Sequence, residues 1–225
     1  MEFIVEHQPG RTSVVHLTFE EADTMTTFTD ALALAENAPV DAAIWIHGTT
    51  PERRAAMEAR ELVSNRTLLQ MRMPLPAAST DVATEPFTDA DIDEFVVVNN
   101  RAFHWHPEQS GLTAEAVRED MSQSWFDADG FRLHRIDGAL AGFCWTKIHS
   151  EPEALGEIYV IAVDPTFHGQ GLGKALTLAG LQWLHDQGLS TGMLYVESDN
   201  VAAVATYKKI GFHIHRTDTL WTPQS

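Results

Sequence analysis

The sequence contains one cysteine, Cys144. A lone thiol can build neither a disulfide framework nor a cysteine-based metal cluster, so the fold has neither support. Cys144 falls in the apolar run 140–145, where a buried strand residue is expected rather than a reactive thiol. Basic residues are also scarce. Lys and Arg number 15 against 32 Asp and Glu, a formal charge of −17. Such a surface repels phosphate backbones and anionic lipid, so nucleic-acid and membrane partners are not expected. It is compatible with an amine-bearing small molecule. No apolar stretch approaches the ~20 residues that cross a bilayer, and residues 1–10 lack the basic start and apolar run of a signal peptide. A cytoplasmic monomer is the expectation. The histidines show no ligand spacing either: His104 and His106 form a lone His-x-His, so no metal is expected. No Ser-His-Asp or Cys-His relay can be placed.

With 44% hydrophobic residues in 225, the chain can bury a sizeable core. The richest linker signal is 73–81, with two prolines among small polar residues. It suggests a first part over 1–75, a linker at 76–81 and a larger domain over 82–225. In the larger part the pattern predicts a short strand in 82–87 and helices over 89–103 and 113–123. Thr88 or Asp89 caps the first and Thr113 the second. Strands over 130–136 and 139–149 meet at Asp137-Gly138, a type I′ turn pair. A strongly apolar strand covers 155–163. Helix 172–187, strand 192–196, helix 201–209 and strand 212–221 follow. The class is α/β with a mixed central sheet flanked by helices.

The two parts share a pattern. Ile44-Trp45-Ile46 aligns without gaps on Leu194-Tyr195-Val196, and the same register sets Ala55-Ala56 beside Ala205-Thr206 and Leu62 beside Phe212. Residues 14–19 resemble 158–163, and 31–35 resemble 175–179. The first part therefore reads as the back half of the second fold, in degenerate form. Met57 falls opposite Tyr207, Thr50 opposite Asn200 and Glu61 opposite Gly211. Thr27 and Thr29 fall near Gly171 and Gly173.

The sharpest local feature is the run Val163-Asp164-Pro165-Thr166-Phe167-His168-Gly169-Gln170-Gly171-Leu172-Gly173-Lys174, between an apolar strand and an amphipathic helix. Three alternate glycines remove Cβ atoms where the chain turns, so that N–H groups and a helix N-terminus can receive a phosphate. A tight strand–helix turn explains the same residues. The run is not a P-loop, which needs a four-residue gap and a Ser or Thr. Nor does it have the chain position of a dinucleotide fingerprint.

This run resembles the pyrophosphate loop of the GNAT acetyltransferases, with His168 where that family usually has Gln or Arg. Asn200, the helix after it and Gly211-Phe212 resemble the family's Asn-x-x-Ala-x-x-x-Tyr-x-x-x-Gly-Phe segment. The resemblance implies a GNAT fold and acetyl-CoA as co-substrate. Its implied contacts are Ile161, Ala162, Val163, His168, Gly169, Gln170, Gly171, Leu172, Gly173, Lys174, Asn200, Val201, Ala202, Ala203, Val204 and Ala205.

Four further runs narrow the likeness: His106-Pro107-Glu108-Gln109, Trp145-Thr146-Lys147-Ile148-His149, Gly156-Glu157-Ile158-Tyr159-Val160 and Leu194-Tyr195-Val196-Glu197-Ser198-Asp199-Asn200. Together they resemble the mycothiol synthase family, whose tandem GNAT design agrees with the repeat. Compared with that family, the first domain is shortened by roughly half. The resemblance implies acetyl transfer to the cysteinyl amine of a cysteinyl-glucosaminyl-inositol. It makes Glu157 the base, Tyr207 the acid, and Glu108, Lys147, Glu157 and Tyr195 substrate contacts. Glu197 and Asp199 would add negative potential for the amine. The first copy, lacking the glycines and the tyrosine, is expected to be non-catalytic. Two other readings stay open: a GNAT enzyme acting on a peptide N-terminus or an aminoglycoside, and a non-catalytic acetyl-CoA-binding module. Read from the residues alone, Glu157 could face solvent, Tyr207 could fill the core and Lys147 could be merely solvated.

Overall fold

The structure, a computed structural model, describes residues 2–6, 14–20, 22–36, 43–104 and 110–224. Among these the chain runs β1 (Glu2–Glu6), β2 (Val14–Thr18), α1 (Met25–Glu36), β3 (Ala43–His47), α2 (Pro51–Glu58) and β4 (Leu62–Pro74). Then come β5 (Glu85–Pro86), α3 (Ile92–Ala102), α4 (Ala114–Met121), β6 (Phe131–Ile136), β7 (Ala139–His149) and β8 (Leu155–Val163). The chain ends with α5 (Leu172–Asp186), β9 (Thr191–Glu197), α6 (Val201–Ile210) and β10 (His213–Pro223). The order β2–α1–β3–α2–β4 repeats the order β8–α5–β9–α6–β10, as the register of the two halves suggests.

Two compact units form. The first comprises Met1–Met71, Tyr195–Val204 and Ile214–Ser225. In it β2 lies antiparallel to β1 and parallel to β3, with α1 as the crossover. β2 alternates half-buried and buried residues, and its inward Val15 and Leu17 pack with Phe28, Leu32, Ile46 and Met57. Thr50 caps α2 by accepting from the Arg53 N–H at 3.2 Å, and Pro51 pre-sets the first turn.

β10 pairs antiparallel with β3, from Asp218 opposite His47 to Trp221 opposite Ile44. Its Trp221 is fully buried in the first unit's core. The sequence reading assigns this strand to 82–225 and places a linker at 76–81, whereas here 214–225 cluster with the first part. β4 runs to Pro74, ahead of the linker expected at 76–81, and its Met73 is buried. The reason is packing: an indole filling a core outweighs sequence proximity.

The second unit comprises Arg72–Leu194 and Ala205–His213. β5, β6, β7 and β8 follow one another antiparallel, and β9 joins β8 in parallel. Asp137 (φ 51°) and Gly138 (φ 83°) make the hairpin turn of β6 and β7. One sheet face carries Phe131, Phe143 and Trp145, packed with Phe87, Phe95 and Val117 from the chain around α3 and α4. The other face meets α5: a methyl on Gly180 would lie 2.5 Å from the Cys144 sulfur, so only glycine permits this approach. Cys144 is buried and free, and burial pushes its thiol up to about 12.

Candidate active site

β8 is the axis of the site. It pairs with β9 only at Gly156, Glu157 and Ile158, opposite Gly192, Met193 and Leu194. From Tyr159 to Val163 no β9 pairing is described, while β7 continues along the other edge. The register with β7 also slips. Trp145 faces Val160 and Thr146 faces Ile158, so Tyr159 is the extra residue of a bulge. One edge of Ile161, Ala162 and Val163 therefore has no described strand partner, and an extended acyl arm could pair there.

The strand ends in a fixed turn. Asp164, 2% exposed, accepts from the Thr166 N–H at 2.8 Å and from its hydroxyl, and pairs with Arg101 Nη1 at 2.7 Å. Burial alone would raise this carboxyl. The Thr166 hydrogen bonds and the Arg101 charge outweigh it and hold the group below the ordinary carboxylate value. Gly169 (φ +81°) and Gly171 (φ +76°) adopt backbone that L side chains avoid. Gly171 is the N-cap of α5 and no side chain caps it, so the first-turn N–H groups stay available. A Cβ built on Gly169, Gly171 or Gly173 meets nothing within 4 Å. These observations fit a pyrophosphate seat. Gln170 and Lys174 are exposed and Leu172 is half-buried. His168 donates from Nε2 to the Val163 carbonyl at 3.0 Å, which ties its ring to the end of β8.

On the sheet face away from α5, Lys147 and Glu157 lie opposite each other. Glu157 is 7% exposed, so it is not a solvent-facing strand residue. His149 Nε2 donates to its Oε2 at 2.7 Å. Lys147 is not merely solvated: its ammonium lies 4.3 Å from the Trp125 ring centroid and 5.1 Å from that of Tyr159. Burial, then Asp120 and Glu157, push the Tyr159 phenol up. Burial and Glu119 raise Asp120, against the Lys147 charge. Residue-type reasoning missed His149 and Trp125. His149 follows Lys147 at strand spacing, which was a usable signal; Trp125 arrives from a loop and carries none.

Tyr207, on α6, is half-buried with its ring 5.9 Å from that of Phe212. Burial around the hydroxyl, reinforced by Cys144, pushes the phenol up to about 12. Among the described residues nothing hydrogen-bonds that hydroxyl.

The remaining expected residues are distributed as follows. Tyr195 and residues 200–204 cluster with the first unit, and Ala205 and Tyr207 with the second. Tyr195, 37% exposed, accepts from Gln70 Nε2 at 2.6 Å and Arg216 Nη2 at 3.3 Å. Asn200 Oδ1 accepts from the Ala203 N–H at 3.2 Å, so that side chain caps α6. Val201 and Ala202 are exposed, Ala203 and Val204 half-buried. Glu197 is paired with Arg66 at 2.5 Å, which cancels the negative potential expected of it, while Asp199 is exposed. Glu108 lies outside the described residues. Among those residues no group of three or more His, Cys, Asp or Glu could hold a metal, and no helix is long and apolar enough to cross a membrane.

Comparison with known proteins agrees with this geometry. The acetyltransferase (GNAT) family profile matches residues 97–212. A protein of Amycolatopsis mediterranei named mycothiol acetyltransferase is 45% identical over 201 residues, covering 83% of this chain and 66% of its own length. One of Segniliparus rotundus with the same name is 42% identical over 201 residues, covering 84% of this chain and 76% of its own. This chain thus spans about two thirds of the length of the first such relative. Among solved structures, a GCN5-related N-acetyltransferase of Sphaerobacter thermophilus superposes with TM-score 0.76 at 16% identity, covering 97% of this chain and 75% of that one. A tandem GNAT protein of the clavulanic acid pathway gives 0.58 at 16% identity, covering 94% and 76%. The chain belongs to the acetyltransferase (GNAT) family.

Proposed function

We propose that this chain transfers acetyl from acetyl-CoA to the cysteinyl amine of a cysteinyl-glucosaminyl-inositol, forming mycothiol, in the cytoplasm and without a metal. The observation that carries the reading is Glu157. It is a buried carboxylate with a single described donor, His149, on the strand that parts from β9 one residue after Glu157. A buried carboxylate is costly unless it is paired or hydrogen-bonded, and one described donor leaves an oxygen able to take a proton. The choice of acceptor is supported by the relatives' name, mycothiol acetyltransferase, at 45% and 42% identity.

In this reading the glycine turn and the free N–H groups of α5 seat the pyrophosphate, and the open edge of Ile161, Ala162 and Val163 holds the acyl arm. Glu157 takes the proton from the amine, directly or through water. The Ile161 backbone N–H polarises the carbonyl as negative charge grows on its oxygen. Tyr207 gives its proton to the departing sulfur. A phenol at about 12 stays protonated throughout the working pH range, as a donor must. Lys147 orients the sugar-inositol portion, with Tyr195 and Glu108 as further contacts. Residues 1–75 act as a non-catalytic GNAT-like part.

Mass spectrometry of the purified protein with acetyl-CoA and the desacetyl thiol tests the proposal. An N-acetylated thiol is the expected product. Acetylation of a peptide N-terminus or an aminoglycoside in its place overturns the choice of acceptor. Absence of transfer to any amine overturns the enzymatic reading.

A further inference from the structure

Lys147 stands directly opposite Glu157 in the β7–β8 register, the position from which a lysine ordinarily pairs with a glutamate. It does not do so. The ammonium lies over Trp125 and Tyr159, and among the described residues it makes no ion pair with Glu157. Glu157 takes its hydrogen bond from the diagonal neighbour, His149, at 2.7 Å. The Glu157 side chain is 10% exposed and that of His149 30%. The aromatic pair thus draws the lysine aside, and an imidazole occupies one carboxylate oxygen.

The difference matters for a base. A lysine cation seated on a buried carboxylate competes with the incoming proton and weakens proton abstraction. One N–H donor satisfies one oxygen, fixes the plane of the carboxylate and leaves the second oxygen open. We propose that His149 is a positioning residue for Glu157, its Nε2–H holding Oε2 so that Oε1 meets the acceptor amine. The inference rests on the reading of Glu157 as base. In the step, one N–H bond of the protonated amine breaks and an O–H bond forms at Oε1. Oε2 becomes the carbonyl oxygen and still accepts from Nε2–H, so no proton passes to the imidazole. Among the described residues, the titratable groups around this face include Lys147 on β7, Tyr159 on β8 and Asp120 with Glu119 on α4, and substitution at His149 leaves them in place.

The test compares His149→Leu with His149→Gln, whose amide N–H can reach the same oxygen. Steady-state rates are measured across pH with acetyl-CoA and whichever amine the wild type acetylates. His149→Leu is expected to lose at least about tenfold in kcat near neutrality, the scale of a hydrogen bond to a charged group. KM for acetyl-CoA should stay within about twofold, because the cofactor contacts are untouched. His149→Gln should recover most of the lost kcat. Wild-type kcat in His149→Leu overturns the proposal, and so does equal impairment of the two variants. An inactive wild type instead refutes the proposed function. The positioning claim then stands on crystal structures of the two variants, in which the Glu157 carboxylate must leave its wild-type plane in His149→Leu and keep it in His149→Gln. No movement there overturns it.

Discussion

His47 on β3 donates from Nδ1 to Oδ2 of Asp218 on β10 across 3.0 Å, and the neighbouring Gly48 N–H reaches Oδ1 at 3.0 Å. Arg216 grips the same carboxylate from within β10, with Nε 2.9 Å from Oδ1. Asp218 is 1% exposed. Four residues of β10 thus bind to β3 through a ladder and a buried charge.

That geometry sets the acid sensitivity of the first unit. Burial alone would raise the Asp218 carboxyl, but the His47 hydrogen bond and the Arg216 charge hold it below the ordinary value. A depressed folded value means that the stabilisation is complete above the unfolded carboxylate value of ~3.9 and fades as pH falls through the lower folded one. Asp218→Ala should cost about 3 kcal/mol at pH 7, because three donors lose their acceptor. Asp218→Asn should also flatten the loss of stability below about pH 4. Urea unfolding at neutral and acid pH checks both, and parallel pH curves for wild type and Asp218→Asn would refute the assignment.

The glycine turn allows space and strain to be separated. Gly171 has φ +76°, so a side chain there strains the backbone whatever binds. Gly173 has ordinary helical backbone in the first turn of α5, and its missing Cβ faces open space. Gly173→Val should therefore keep or slightly raise the stability of the free protein. It should lower acetyl-CoA affinity by at least ~1.4 kcal/mol, a tenfold loss, if phosphate occupies that space. Thermal melting and calorimetric titration of one variant provide both numbers. Unchanged affinity would reduce the run to a turn.

One acetyl-CoA per chain is the next expectation. Arg53, on α2, donates from Nη1 to the Gly48 carbonyl just after β3 at 2.5 Å and, at the β2–α1 turn, from Nη2 to those of Asp23 and Glu20 at 3.0 and 3.3 Å. Its guanidinium also lies 4.7 Å from the Phe19 ring centroid. The first copy thus presents carbonyls closed by a buried cation, where the second presents glycines with nothing beside them. Carbonyl oxygens repel phosphate. Met57, opposite Tyr207 in the repeat, is fully buried and holds no proton to give. Titration calorimetry resolving two sites per chain would contradict this, and Met57→Leu should leave the rate intact.

The sequence disclosed what is local. The strand Leu155–Val163 was readable to the residue, because a run apolar but for Glu157 stops at Asp-Pro. Thr113 caps α4 as expected, since a cap needs only its own turn. The home of β10 was not readable, because its partner is chosen by the fit of Trp221 into a core built from distant residues. The same holds for His149. Its contact with Glu157 is a diagonal across two strands, set by register beside a bulge at Tyr159. Lys147 was singled out for the right strand position, but the aromatic platform that steers it comes from Trp125 outside the sheet.

Tyr207 is the position where chemistry and packing are most easily confused, and Tyr207→Phe separates them. The ring stays against Phe212 and only the hydroxyl leaves, so stability should move little. Nothing among the described residues bonds that hydroxyl, so its removal strands no donor or acceptor within them. If Tyr207 protonates the departing sulfur, the lost interaction belongs to the transition state. kcat should then fall at least tenfold, cautious beside the about 10²- to 10⁴-fold typical of general acids, while acetyl-CoA affinity holds. The alkaline limb of the rate profile offers a second check. A phenol at about 12 loses its proton only far above neutrality, so Tyr207 should not limit the rate near pH 9. Single-turnover measurement keeps product release from masking the step. A folded Tyr207→Phe enzyme with wild-type single-turnover rate would return this residue to the core.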